Sequence, residues 1–122
     1  MELGRRSLFS DRSQRPQMLS TGDIVEYLTP RYADFGVEQF GVLLLDQKQR
    51  VIRSVVLSTG TVEASISHPR DTFRVAMLAR ASFVVAFHNH PWGDPLPSVA
   101  DRMMTRRLFE AGEVVGIALM DH

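Results

Sequence analysis

The chain has 122 residues, with 44% apolar and 23% charged residues, a composition that predicts one soluble globular domain with a single hydrophobic core. Lys plus Arg and Asp plus Glu both count 14, so no net charge steers the molecule toward nucleic acid or anionic lipid. Cysteine is absent, which excludes disulfides, thiolate metal sites and a cysteine nucleophile, and fits a reducing, cytoplasmic setting.

Residues 1–19 are rich in Arg, Ser and Gln and read as a flexible basic arm, with Arg5, Arg6, Arg12 and Arg15 as its cations. Ser20 or Thr21 can cap a short helix that carries Ile24 and Leu28 on one face, and Pro30 breaks or kinks it. QFGVLLLD, from Gln39, is a buried central strand, and VIRSVVL, from Val51, returns after the polar QKQR as a hairpin. GTVEASI, from Gly60, is β-branched enough to be extended. Pro69 then opens a helix bearing Phe73, Ala76, Met77 and Arg80. SFVVAF, from Ser82, is another buried strand and leads directly into His88.

A last helix starts near Ser98, carries Ala100, Met104, Leu108 and Ala111 as an apolar stripe, and stops at Gly112. VVGIALM is the final strand. The order of elements predicts an α/β layered domain with a mixed sheet flanked by helices. No stretch approaches the roughly 20 apolar residues that span a bilayer, so no membrane association is expected.

The stretch HNHPWGDPLPSVAD, His88 to Asp101, carries the chemistry. His88 and His90 lie at the carboxyl end of a buried strand, where residues two apart project from the same face. The Pro- and Gly-rich turn that follows can return Asp101, in the first turn of the next helix, to the two imidazoles. Two histidine nitrogens and a carboxylate suit zinc, and three protein ligands leave the fourth tetrahedral position open, as in catalytic sites. Ser98 and Asp101 equally fit a helix cap of the Ser-x-x-acid form, which needs no metal. Trp92 is either a cap on the local core or an aromatic lip beside the site.

The spacing of His88, His90, Ser98 and Asp101 resembles the JAMM signature of MPN-domain zinc metalloproteases, H-x-H-x(7)-S-x-x-D. FGVLLLDQKQRVI, GTVEASISHPRD, HNHPWGDPLPSVAD and TRRLFEAGEVVGIALMDH, in that order, resemble the JAB/MPN domain of the bacterial RadC family over residues 20–122. The resemblance implies a Zn2+-dependent hydrolase, a metallopeptidase or isopeptidase acting on an amide bond of a peptide or protein substrate through a water activated by the metal. Within it, His88, His90 and Asp101 match the metal ligands, and Ser98 matches a donor to the developing oxyanion. Glu38 matches the general base, with Glu63 as the runner-up. Trp92 stands where these sequences commonly carry a small Ser, so it would border the substrate groove. The resemblance also implies a domain shortened at its C-terminus and lacking the helix-hairpin-helix segment that precedes it in RadC. VVGIALM would then be an exposed edge through which the chain forms a homo-oligomer.

Two other functions compete with this one. A non-catalytic MPN-type interaction module would keep the fold without the chemistry, although such modules often lose the ligands that are present here. A DNA-repair-associated role follows from the family name, but the balanced charge leaves this domain without a strong nucleic-acid surface. A zinc deaminase is excluded, because its metal is held by cysteine.

Overall fold

The computed structural model describes residues 14–32, 38–59, 68–89 and 99–120, with side chains throughout except at 89 and 99–102. Among the described residues three helices and four strands follow one another as α1 (Thr21–Tyr32), β1 (Gln39–Leu45), β2 (Val51–Thr59), α2 (Pro69–Leu78), β3 (Phe83–Asn89), α3 (Val99–Val115) and β4 (Ala118–Met120). The sheet order is β2-β1-β3-β4. β1 is antiparallel to both β2 and β3, while β4 lies parallel to β3. The expected mixed sheet with flanking helices is therefore the observed one.

Alternation along β1 sorts the core into two layers. Phe40, Val42 and Leu44 point to one face, where they join Val84 and Ala86 of β3, Phe73 and Ala76 of α2, and Met104 and Leu108 of α3. Leu43 and Leu45 point to the other face and meet Val85 and Phe87 of β3 and Ile24 and Leu28 of α1. Both faces of β1 are covered, which explains why its sequence is apolar without a break. Gly41 is required by close approach: a Cβ there would lie 2.5 Å from the Phe87 ring and 2.7 Å from the Val55 carbonyl oxygen.

The β1–β2 turn is organised by Asp46. Its Oδ1 accepts from the amides of Lys48 and Arg50, both at 2.9 Å, and its Oδ2 from Arg50 Nε at 3.1 Å and Arg15 Nη1 at 3.4 Å. The arm expected over residues 1–19 is thus not free along its whole length. Pro16 O accepts from the Val51 amide, the Met18 amide donates to Gln49 O, and Met18 is buried under the α1 layer. Hydrogen bonds to the hairpin turn and burial of one methionine outweigh the polar composition that predicted a solvated tail. Residues 1–13 lie outside the described residues.

Helix α1 starts as expected at Ser20, whose Oγ accepts from the Asp23 amide while Asp23 Oδ2 accepts from the Leu19 amide. This reciprocal arrangement satisfies donors that a helix start leaves open. Pro30 does not break the helix, which runs on to Tyr32. Proline in the last turn forfeits only one intrahelical bond.

Helix α2 is capped by His68, whose Nδ1 accepts from the Arg70 amide at 3.1 Å, with Pro69 in the first turn. Phe73 and Ala76 are buried as expected, but Met77 is 53% exposed. Arg80 lies beyond the helix with φ 58°. The Ala81 amide donates to Ala76 O and the Arg80 amide to Met77 O, which is the Schellman arrangement. Arg80 therefore occupies the left-handed position that ends the helix and not a place on its apolar face.

Helix α3 passes through Gly112 and ends at Gly116, where φ is 79°. The expected stop at Gly112 was misplaced because that glycine serves packing: a Cβ there would collide with the Ile117 carbonyl oxygen and stand 3.4 Å from the Phe73 ring. The final strand shrinks in consequence to Ala118–Met120. Val114 and Val115 are helical, and Ile117 is a buried core residue. The expected extended segment at Gly60–Ile66 lies outside the described residues.

Candidate functional site

The carboxyl end of β3 carries the first candidate ligand. His88 is the cross-strand partner of Phe40, and Asn89 that of Gln39, so Glu38 is the residue immediately before the first paired position of β1. Because faces alternate, Glu38, Phe40 and His88 all belong to the face covered by α2 and α3. The Oε2 atom of Glu38 and the Nε2 atom of His88 are both shielded from solvent. The rings of Phe40 and His88 meet edge to face, with centroids 5.9 Å apart and planes at 83°.

Topology brings a third element to the same end. β4 is parallel to β3, and its first residue, Ala118, pairs with the first residue of β3, Phe83. Helix α3 connects the two strands, so it must return from the His88 end to the Phe83 end of the sheet. Its 17 residues cover about 25 Å at ~1.5 Å per residue. The seven residues of β3 cover about 23 Å at ~3.3 Å each, so the lengths match. The first turn of α3, with Asp101, is therefore its end nearest His88. Met104 and Leu108 hold the helix down on the Phe40 face.

Of the predicted site residues, Glu38 and His88 are brought to one end of one sheet face. Asp101 is placed on α3 by its backbone, its side chain lying outside what is described. His90, Trp92, Ser98 and Glu63 lie outside the described residues. Among the described residues, no three His, Cys, Asp or Glu side chains meet as a metal cluster. As donors, the members of the set that are visible suit a metal: a buried imidazole nitrogen and a buried carboxylate oxygen on the same face, as a ligand and a nearby base require.

Phe40 was not singled out in the sequence. Its position opposite His88 depends on the β1–β3 register, which separates the partners by 48 residues of chain, and no local spacing reveals it. The carboxyl of Asp46 lies away from this site, beyond Leu45 at the other end of β1. Burial there opposes its charge, but the amides of Arg50 and Lys48 and the Arg50 guanidinium outweigh that and hold it below its ordinary value of 3.8. The displaced acid is thus a structural one.

A mixed sheet with helices on both faces and a histidine at the end of a central strand is the architecture of a JAB-like domain. Residues 18–122 match the RadC-like JAB domain, and the chain belongs to that family. It is 45% identical over 109 residues to a UPF0758 protein of Symbiobacterium thermophilum, covering 89% of this chain and 47% of that protein. A UPF0758 protein of Listeria monocytogenes is 41% identical over 122 residues, covering 100% of this chain and 54% of its own length. One from Staphylococcus aureus is 39% identical over 121 residues, covering 99% and 56%. The chain thus spans about half the length of these relatives. Among the described residues no helix is long and apolar enough to cross a membrane.

Proposed function

We propose that this chain is a zinc-dependent hydrolase of the metallopeptidase or isopeptidase kind, acting on an amide bond of a peptide or protein in the cytoplasm. The observation that carries the reading is the convergence of Glu38, His88 and the start of α3 on one end of one sheet face. The H-x-H-x(7)-S-x-x-D spacing within a RadC-like JAB domain supports it.

In this reading His88, His90 and Asp101 hold the metal. Zinc, when bound, supplies a Lewis acid that lowers the pKa of water toward ~7 from about 16 in bulk. Glu38 takes the proton of the attacking water and returns it to the leaving amine. A carboxylate shielded from solvent suits that transfer, because water competes less for its oxygen. Ser98 donates a hydrogen bond to the carbonyl oxygen as the carbon becomes tetrahedral. Trp92 is assigned to substrate binding in the same reading.

Elemental analysis tests the proposal. Protein purified without chelator should carry about one zinc per chain, and His88→Ala should carry none. Wild-type protein that is metal-free and also ignores added zinc would contradict it.

A further inference from the structure

We propose that Phe40 is a positioning residue for the metal site, fixing the plane of the His88 imidazole. The inference rests on the reading of His88 as a ligand given above. Three observations lead to it. Phe40 and His88 are direct cross-strand partners, so the backbone of the sheet sets the separation of their side chains. Their rings meet at 83° and 5.9 Å, within the edge-to-face geometry that aromatic quadrupoles favour. Phe40 is only 4% exposed and belongs to the same buried cluster as Met104 and Leu108 of α3, so its ring is itself immobilised.

A ligand histidine is effective when its ring is already aimed. Hydrogen bonding at the second nitrogen is the usual device that limits the ring's swing, and packing against a neighbouring ring can act in the same sense. An aromatic wall against the imidazole removes the swing. Phe40 can do this because it comes from the neighbouring strand, at the level of His88, and on the same face. It also stands two residues after Glu38, at the next position on that face, so it neighbours the base along β1 as well as the ligand across the strands. Through Met104 the same cluster reaches the helix whose first turn carries Asp101. Phe40 thus ties together the three elements that converge at this end of the sheet.

The test compares Phe40→Met, which removes the ring and keeps an apolar chain of similar size, with Phe40→Tyr, which keeps a ring. Phe73→Leu is the control, since it removes a different ring from the same buried cluster. Two quantities are measured: zinc affinity, by competition with a chromophoric chelator, and the chemical shifts of the His88 ring protons in metal-free protein, which respond to the ring current of Phe40. In the wild type, Phe40→Tyr and Phe73→Leu, the His88 protons should carry the ring-current displacement, and zinc affinity should be unchanged. Phe40→Met should lose the displacement and bind zinc about tenfold more weakly, at the low end of what outer-shell partners contribute. A folded Phe40→Met with wild-type affinity overturns the inference. Equal weakening in Phe73→Leu does so too, because general loosening of the core would then be the cause. Absence of the displacement in the wild type removes the contact itself, whether or not Phe40→Met folds. A wild type that shows the ring contact and binds no zinc refutes the metal reading instead, and the inference with it.

Discussion

Phe83 pairs with Ala118, the first residue of β3 with the first of β4. That pairing obliges α3 to begin at the opposite end of the sheet, where His88 ends the described part of the face. In the proposed reading, the residue that would act on water and those that would hold a metal then come from different elements. Glu38 approaches from β1, on a different strand from His88 and a different element from Asp101. Glu38→Gln keeps the size and loses the basicity. It should retain zinc and the thermal midpoint of the wild type while hydrolysis of a susceptible peptide falls by about 100- to 10,000-fold. Loss of zinc in that variant would make Glu38 a ligand, and an active Glu38→Gln would move the base elsewhere, with Glu63 next in line.

Asp46 predicts an acid limit to stability. Its folded carboxyl is held below 3.8, so its contribution is fully present above the ordinary carboxylate value and is lost as pH falls through the lowered one. Asp46→Asn keeps one acceptor and loses the charge facing Arg50 and Arg15. We expect it to cost on the order of 1–3 kcal/mol at neutral pH. Urea unfolding of both proteins from pH 7 downward should show the gap constant to about pH 4 and narrowing below it. A gap that widens on acidification would contradict the assignment.

Arg80 ends α2 in a left-handed conformation, φ 58°, that costs a side-chain-bearing residue roughly 1 kcal/mol. Arg80→Gly should therefore raise stability slightly, by about 0.5 kcal/mol once the greater freedom of glycine in the unfolded chain is set against the relief. Thermal unfolding decides it. A clear loss would mean that the arginine side chain contributes more than the strain costs.

The association expected through the C-terminal edge changes in detail. β4 stands at the end of the described sheet order, and beside it Val114 is 86% exposed. Ile117 within that segment is buried, so a lysine there would disturb the core and not report on the edge. Light scattering over a concentration series should show self-association in the wild type that Val114→Lys reduces. A wild type that stays monomeric, or association that ignores the lysine, counts against the edge as an interface.

Much of this fold was legible because long apolar runs dominate it. β1 and β3 are buried on both faces, and their sequences leave no alternative to central strands. Capping chemistry located the starts of α1 and α2 as well. The helix ends were less legible, for an identifiable reason: Gly112 and Gly116 are equally good stop signals locally, and only contact with Ile117 and Phe73 distinguishes the packing glycine from the terminating one. The docking of Pro16–Met18 depends on hydrogen bonds to a turn some 30 residues away, which composition does not encode. At the site, the histidine spacing was visible in the chain. The Phe40–His88 pairing needed the register of two strands brought together from different parts of the chain.

The central claim is that a metal is held at the His88 end of β3. The most direct measurement is the anomalous scattering of crystals of the zinc-loaded protein, with data collected on both sides of the zinc edge. A single strong difference peak is expected about 2.0–2.1 Å from a ring nitrogen of His88, on the face shared with Phe40 and within one water of Glu38. A peak elsewhere, or none in crystals grown with zinc, would contradict it.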